Sequence, residues 1–182
     1  MDVMSTKRLI LRDFVEEDWK SVYNYSSNLD VVRYVDWGPN TEDDSKAFIQ
    51  KALLNKKESP RKNFTLAIVL KTTNTLLGGC GIYVVNPSNR EGYLGYVLNC
   101  NFWGQGFATE TAQALQNFGF TQLKLHRIFA TCALDNKASA HVLEKIGMKT
   151  EGYFHEHKWK NGKWYDTLLF AILDHEWMKL TK

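Results

Sequence analysis

The stretch Asn101-Phe102-Trp103-Gly104-Gln105-Gly106-Phe107-Ala108-Thr109-Glu110 joins two different periodicities. Before it, Tyr93 to Leu98 reads as a strand; after it, about Thr109 to Leu123 reads as a helix. A strand that ends in glycines and opens a helix leaves backbone N–H groups unpaired at the helix N-terminus. With the helix dipole, they form an anion site whose natural occupant is a pyrophosphate. Gly104 and Gly106 allow close approach and backbone conformations closed to other residues. A plainer reading has the glycines only shaping a helix cap. The segment is not a Walker A loop, because no Gly-Lys-Ser/Thr follows. It is not Gly-x-Gly-x-x-Gly either, because Thr109 stands at the last glycine. It also lies far from the first strand, where a dinucleotide-binding fold would place it.

Leu9, Leu11 and Phe14, with Arg8 and Arg12 interleaved, mark an opening half-buried strand. Glu16 to Asn28 reads as a helix carrying Trp19, Val22, Tyr23 and Ser26, with acidic residues in its first turn. Asp36 to Asn40 is a loop. Thr41 and Asp44 form a capping arrangement that opens a helix carrying Ala47, Phe48, Lys51 and Leu54. Asn63 to Leu70 and Leu76 to Val85 are strands joined by a hairpin turn. Gly78, Gly79 and Gly81 in the second predict a bulge or a close backbone approach. After the glycine segment come a strand, Arg127 to Leu134, and a helix, Ala138 to Ile146, which Gly147 stops. Lys149 to Lys160 and Lys163 to Leu173 close the chain as a hairpin across Asn161-Gly162, a type I′ turn signal. The order β-α-α-β-β-β-α-β-α-β-β predicts a single α/β (α+β) domain over residues 1–182, with a mixed sheet and helices on its faces.

With 182 residues, 44% of them hydrophobic and 24% charged, the composition is that of one globular domain rather than a disordered chain. A net charge of +3 is too small to imply nucleic acid, and Lys158, Lys160 and Lys163 read as a solvated basic cluster. Cys80, Cys100 and Cys132 form neither a disulfide framework nor a zinc motif, which suits a reducing compartment. No apolar run approaches membrane-spanning length, and Arg12 and Asp13 interrupt anything resembling a signal peptide. A cytoplasmic location is expected, without a membrane partner.

The glycine segment resembles motif A of the GNAT acetyltransferase superfamily, Arg/Gln-x-x-Gly-x-Gly/Ala, with Asn101 at the Arg/Gln place, Gly104 at the first glycine and Gly106 at the last position. The resemblance to the RimJ/RimL-like branch extends over almost the whole chain. It includes Thr6-Lys7-Arg8-Leu9-Ile10-Leu11-Arg12, Gly95-Tyr96-Val97-Leu98, Asn136-Lys137-Ala138-Ser139, Leu143-Glu144-Lys145-Ile146-Gly147-Met148 and Glu151-Gly152. It implies the GNAT fold: a mixed, mostly antiparallel central sheet with a splayed parallel strand pair and helices on both faces. It further implies acetyl-CoA as donor, with no metal. The pyrophosphate would lie on Trp103, Gly104, Gln105, Gly106, Phe107, Ala108 and Thr109, and the pantetheine arm along Tyr96, Val97 and Leu98. Asn136 would contact the cofactor; as a residue, it is equally a helix N-cap.

Aminolysis of a thioester needs a free amine, a polarised carbonyl and a way to stabilise the leaving thiolate. A side-chain amine near pKa ~10.4 needs deprotonation, whereas an α-amine at roughly 7.7–8.0 needs little help. Ser139, matching the serine of the Asn-x-x-Ser motif, is the candidate hydroxyl that protonates the leaving thiolate, with a locally bonded helix serine as the plainer alternative. Glu156 is the candidate base; His157 and Glu91 are others, Lys158 occupies one place where relatives carry an acid, and a water relay is an alternative. His155 and His157 alternate on one strand and are expected to share a face, without a third metal ligand. Cys132 reads as a core residue. Trp19, Trp37, Trp103, Trp159 and Trp164 divide between core and pocket wall. The acceptor is expected to be a protein N-terminal α-amine or, in the competing reading, a small-molecule amine. A non-catalytic acyl-CoA-binding module and a nucleotide-binding protein are the readings from other classes, and homodimerisation is left open.

Overall fold

In the computed structural model, which describes residues 2–180, a short strand, β1 (Asp2–Ser5), pairs antiparallel with β2 (Leu9–Asp13). Leu9 and Leu11 of β2 are fully buried, as their alternation predicts. The predicted first helix is a turn at Glu16–Asp18 followed by α1 (Trp19–Ser26). Asp18 causes the break: its carboxylate accepts the Val15 N–H at 2.9 Å and pairs with Arg12 at 2.6 Å. A four-residue helix, α2 (Leu29–Val32), follows; its length leaves no period to read.

Helix α3 (Glu42–Lys56) opens as expected, with the Thr41 hydroxyl accepting the Asp44 N–H at 3.1 Å and Asp44 accepting the Thr41 N–H at 2.9 Å. Its buried stripe is Ser45, Ile49 and Ala52, however, and Leu54 is 65% exposed. A polar residue displaced the reading: the buried Ser45 hydroxyl donates to the Thr41 carbonyl at 3.0 Å and lies 3.3 Å from Ser26 Oγ.

Strands β3 (Asn63–Leu70), β4 (Thr75–Asn86) and β5 (Glu91–Leu98) continue the meander. The expected irregularity in β4 is present as a register shift opposite Ile68/Val69, and a Cβ on Gly78 would stand 2.1 Å from the Val97 carbonyl oxygen. Helix α4 (Phe107–Thr121), strand β6 (Arg127–Ala133), helix α5 (Lys137–Lys145), hairpin β7 (Lys149–Lys160) and β8 (Lys163–Leu173), and a last helix α6 (Asp174–Leu180) complete the chain. Asn161 and Gly162 at the hairpin tip have φ 49° and 75°, as a type I′ turn requires.

The eight strands form one sheet in the order β1-β2-β3-β4-β5-β6-β8-β7, and only β5 and β6 run parallel. Strand β3 is buried on both faces. Leu66 and Ile68 join the core under α4 and α5, while Ala67 and Val69 join the core under α1 and α3. The α6 helix docks through Trp177, whose ring lies 5.2 Å from that of Phe120. No helix among the described residues is long and apolar enough to cross a membrane.

His155 and His157 do not share a face. The register of β7 slips between Phe154 and Lys158, and Glu156 sits at φ 48°. His155 Nδ1 therefore meets Asp166 at 3.2 Å while His157 Nδ1 meets Thr167 Oγ1 at 2.6 Å, and consecutive residues of β8 point to opposite faces.

Candidate active site

Strands β5 and β6 pair only through Glu91, Gly92 and Tyr93 with Arg127, Ile128 and Phe129. Beyond that point β5 remains bonded to β4 and β6 to β8, so the two part. A wedge-shaped slot opens between Gly95, Tyr96 and Val97 on one side and Thr131, Cys132 and Ala133 on the other. Leu98 is buried in the core, and its carbonyl accepts the Trp103 indole N–H at 2.9 Å, with Trp103 itself 49% exposed.

The glycine segment follows the end of β5 and leads into α4. Gly106 is the N-cap of α4 at φ 79°, and Gly104 lies at φ 73°. The first intrahelical bond runs from the Glu110 N–H to the Gly106 carbonyl at 3.1 Å, so the amides of Phe107, Ala108 and Thr109 have no partner within the helix. A Cβ on Gly104 would meet nothing within 4 Å, and one on Gly106 only Arg8 Nη2 at 3.5 Å. The protein's own packing thus does not require glycine at either position; the left-handed backbone conformation does.

Arg8, which alternation had placed only as an outward residue of the opening strand, holds this loop. Its guanidinium donates to the Gln105 carbonyl at 2.9 Å and to Glu110 at 2.7 Å, and lies 4.3 Å from the centre of the Phe107 ring. Burial pushes the Glu110 carboxyl upward, but hydrogen bonds from the Thr6 hydroxyl (2.6 Å) and from Arg8 outweigh it and hold the group below the usual range. The sequence pattern at residues 6–8 carried this signal without revealing its partner 102 residues away.

Across the slot, Asn136 caps α5, its side chain accepting the Ser139 N–H at 3.1 Å. That cap orients Ser139 so that its Oγ lies 3.1 Å from the Tyr96 hydroxyl. Burial, more than any other cause, raises the Tyr96 phenol to about 12. The structure therefore joins Ser139 to the Tyr96 hydroxyl, a partner 43 residues away that the sequence pattern does not reveal. Burial also pushes the Cys132 thiol up to about 11, so it carries little thiolate near neutral pH.

The slot continues into a cavity of about 630 Å³. Asp44, Ala47, Phe48 and Lys51 line it from α3, and Trp37, Tyr83, Tyr93 and Tyr165 add aromatic walls. Ala47, Phe48 and Lys51, placed on this helix by sequence, thus form part of the cavity wall. Lys158 and Lys160, expected to be solvated, tie down the segment above it. Lys160 Nζ donates to the carbonyls of Val32, Val35 and Trp37 at 2.6, 2.7 and 3.0 Å, and burial lowers its pKa. Lys158 pairs with Asp36 at 2.8 Å, and that hydrogen bond holds the carboxyl below its ordinary range.

The other candidates do not reach the cavity. Glu156 is exposed on the β7 bulge, its backbone N–H bonded to Asp166 at 2.7 Å. Glu91 pairs with Arg127 at 3.0 Å at the closed end of the β5–β6 pair. His157 is held by Thr167. Trp159 and Trp164 pack on each other at 5.1 Å, exposed near the hairpin tip, and Trp19 packs against the α1–α3 core. Among the described residues, no group of three or more His, Cys, Asp or Glu is arranged to hold a metal ion.

The family model of the acetyltransferase (GNAT) domain matches residues 8–149. The chain is 38% identical to an uncharacterised N-acetyltransferase, YnaD, of Bacillus subtilis over 174 residues, covering 96% of this chain and 98% of that one. It resembles the crystal structure of a GNAT-family acetyltransferase from Bacillus anthracis with a TM-score of 0.84 at 35% identity, over 94% of this chain and 98% of that one. The fold is also that of the α-N-protein acetyltransferase RimL in complex with coenzyme A, with a TM-score of 0.84 at 21% identity, covering 95% and 98% of the two chains. The match over residues 8–149, together with 38% identity to YnaD over 96% of the chain, makes the chain a member of the GNAT acetyltransferase family.

Proposed function

We propose that this acetyltransferase takes its acetyl group from acetyl-CoA and transfers it to an α-amine, as at a protein N-terminus. In this reading the amides of Phe107, Ala108 and Thr109 receive the pyrophosphate, and the pantetheine arm runs beside Tyr96 and Val97 into the slot. Tyr96 and Ser139 face the sulfur. The observation that carries the choice of amine is the state of the cavity's carboxylates. Asp36 is committed to Lys158, and Asp44 to the amide and hydroxyl of Thr41, with both held below their ordinary range. Neither is poised as a base near neutral pH. An amine near pKa ~10.4 would need one, whereas an α-amine at roughly 7.7–8.0 is already partly free. A small-molecule α-amine is the second reading, favoured by the pinned segment above the cavity, which limits the acceptor's size. A cytoplasmic enzyme without metal, membrane or nucleic-acid partner fits both, and homodimerisation is compatible with both.

Thermal melting combined with thiol release tests this. Coenzyme A at about 100 times its Kd should stabilise the fold by ~2.7 kcal/mol, a rise of about 5–10 °C in Tm for a domain of this size. ATP and NAD should shift it far less; an equal shift from NAD would overturn the donor. Thiol release should follow the acceptor's own titration, rising with pH to a plateau above about 8 for an α-amine. Strong coenzyme A binding without turnover of any amine would instead indicate a regulatory module.

Lys160→Met removes three charge-assisted hydrogen bonds from the segment 32–37 and frees it to move. The expected cost is about 1–3 kcal/mol, because the released carbonyls regain water. The KM for the acceptor should rise severalfold while the Kd for acetyl-CoA, bound at the other end of the slot, stays the same. Calorimetric titration and steady-state kinetics on the same variant separate the two; an unchanged KM would show that the pinned segment does not shape the acceptor site.

A further inference from the structure

We propose that the acceptor α-amine belongs to a molecule that also carries a carboxylate, and that Lys51 and Arg33 pair with that carboxylate in the cavity. The inference rests on the acetyl-transfer reading above and adds the charge of the substrate. Six charged side chains line the cavity: Arg33, Asp36, Asp44, Lys51, Lys158 and Lys160. Four are cations and two are carboxylates, so the lining is positive. The internal pairings leave that imbalance on particular residues. Asp36 and Lys158 neutralise each other at 2.8 Å. Asp44 is spent on its helix cap, and Lys160 on three backbone carbonyls. Lys51 and Arg33 have no carboxylate partner among the described residues.

Their positions follow from the fold. Asp44, Phe48 and Lys51 are spaced i, i+4, i+7 and so share one face of α3, the face turned to the cavity. Arg33 follows α2, its guanidinium 5.2 Å from the centre of the Tyr34 ring, another residue of the lining. A polycationic acceptor, such as a polyamine, would bring further ammonium groups among these cations and find no uncommitted carboxylate. An acceptor with an apolar or aromatic body and an acid group finds aromatic walls and two cations. Molecules bearing an α-amine are amino acids and peptides, so the anion is a carboxylate, at the C-terminus of a short acceptor or on a side chain close to its N-terminus.

Two matched pairs of peptides test the charge without altering the attacking amine. Ala-Phe is compared with Ala-Phe-amide, and Asp-Phe-amide with Asn-Phe-amide, with rates of thiol release referred to the free-base fraction of each α-amine. At low ionic strength, kcat/KM should favour the acid member of at least one pair by about fivefold to tenfold, the range expected of charge pairs that remain partly exposed. The preference should shrink as salt is raised to 0.5 M. In the double variant Lys51→Glu, Arg33→Glu, the acid-to-amide ratio should fall to one or below. Equal rates within both pairs, or a ratio unchanged in the double variant, would overturn the proposal. Spermidine turned over faster than every peptide would do so as well. Failure of all these amines to release thiol while coenzyme A still raises Tm would overturn the acetyl-transfer reading itself, an outcome distinct from equal rates.

Discussion

Gly106→Val is expected to weaken coenzyme A binding by about 10²-fold or more while the chain still folds. A valine at φ 79° occupies a backbone region that β-branched residues rarely adopt, at a cost on the order of 1–3 kcal/mol. Against a domain stability of about 5–15 kcal/mol this is tolerable. Within the protein the new Cβ would meet only Arg8 Nη2, at 3.5 Å, an ordinary van der Waals contact. The branched side chain would crowd the N-terminus of α4, where the pyrophosphate is proposed to sit. Each hydrogen bond to a charged group is worth about 1.5–3 kcal/mol, so losing two gives at least about 10²-fold. The hairpin tip supplies a matched control. Gly162 has φ 75° and also nothing within 4 Å of a Cβ, but no proposed ligand. Gly162→Val should therefore lower Tm about as much as Gly106→Val and leave coenzyme A affinity intact. Calorimetric titration of both variants decides the matter. Equal affinity in the two would place the pyrophosphate elsewhere.

What was legible in the sequence was what short-range pattern encodes. Alternation along Leu9 and Leu11, the Thr41–Asp44 cap, the Asn161-Gly162 turn and the glycine-capped α4 each involve residues within a few positions of one another, so each was readable and each is present. The fold followed because these local pieces, in order, also matched a known family. The misreadings have a common cause. On α3, the pattern of Ala47, Phe48 and Lys51 gives the helix but not its packed face, because a cavity wall and a core face have the same periodicity; the buried stripe is Ser45, Ile49 and Ala52, with Ser45 satisfied by Thr41 and near Ser26. On β7, perfect alternation of His155 and His157 concealed a bulge whose positive φ at Glu156 turns one of them away. Lys160 was read as solvated because its three carbonyl partners lie 123 to 128 residues distant. Arg8 and Glu110 likewise meet across 102 residues. Contacts of that range leave no periodic trace, so the parts of a site that hold loops in place are the parts a single sequence conceals.

Ser139→Ala should lower kcat by about tenfold to 10²-fold while leaving the Kd for acetyl-CoA nearly unchanged. The structural partner of Ser139 refines the proposed role. The Tyr96 phenol at about 12 is a weaker acid than a thiol near ~8.5, so at equilibrium neither hydroxyl surrenders its proton to a leaving thiolate. In the proposed role the hydroxyl pair would instead donate a hydrogen bond to the charge that develops on sulfur, an interaction made in the transition state and largely absent from the bound thioester. Such donors are worth more in a water-poor slot than in water, but thiolates leave tolerably unaided. The expected loss is therefore at or below the ~10²–10³-fold seen for oxyanion donors. Because Ser139 Oγ and the Tyr96 hydroxyl lie 3.1 Å apart, they should act as a unit. Tyr96→Phe should give a loss of similar size, and the double variant should lose little beyond the worse single change, which is the signature of coupled residues. A serine serving only the fold would lower Tm and spare turnover. One serving only to seat the cofactor would raise the Kd and spare kcat at saturation. Stopped-flow turnover and calorimetric binding on all three variants distinguish these cases, and a kcat within about twofold of the parent for both single variants removes the hydroxyl pair from the chemical step.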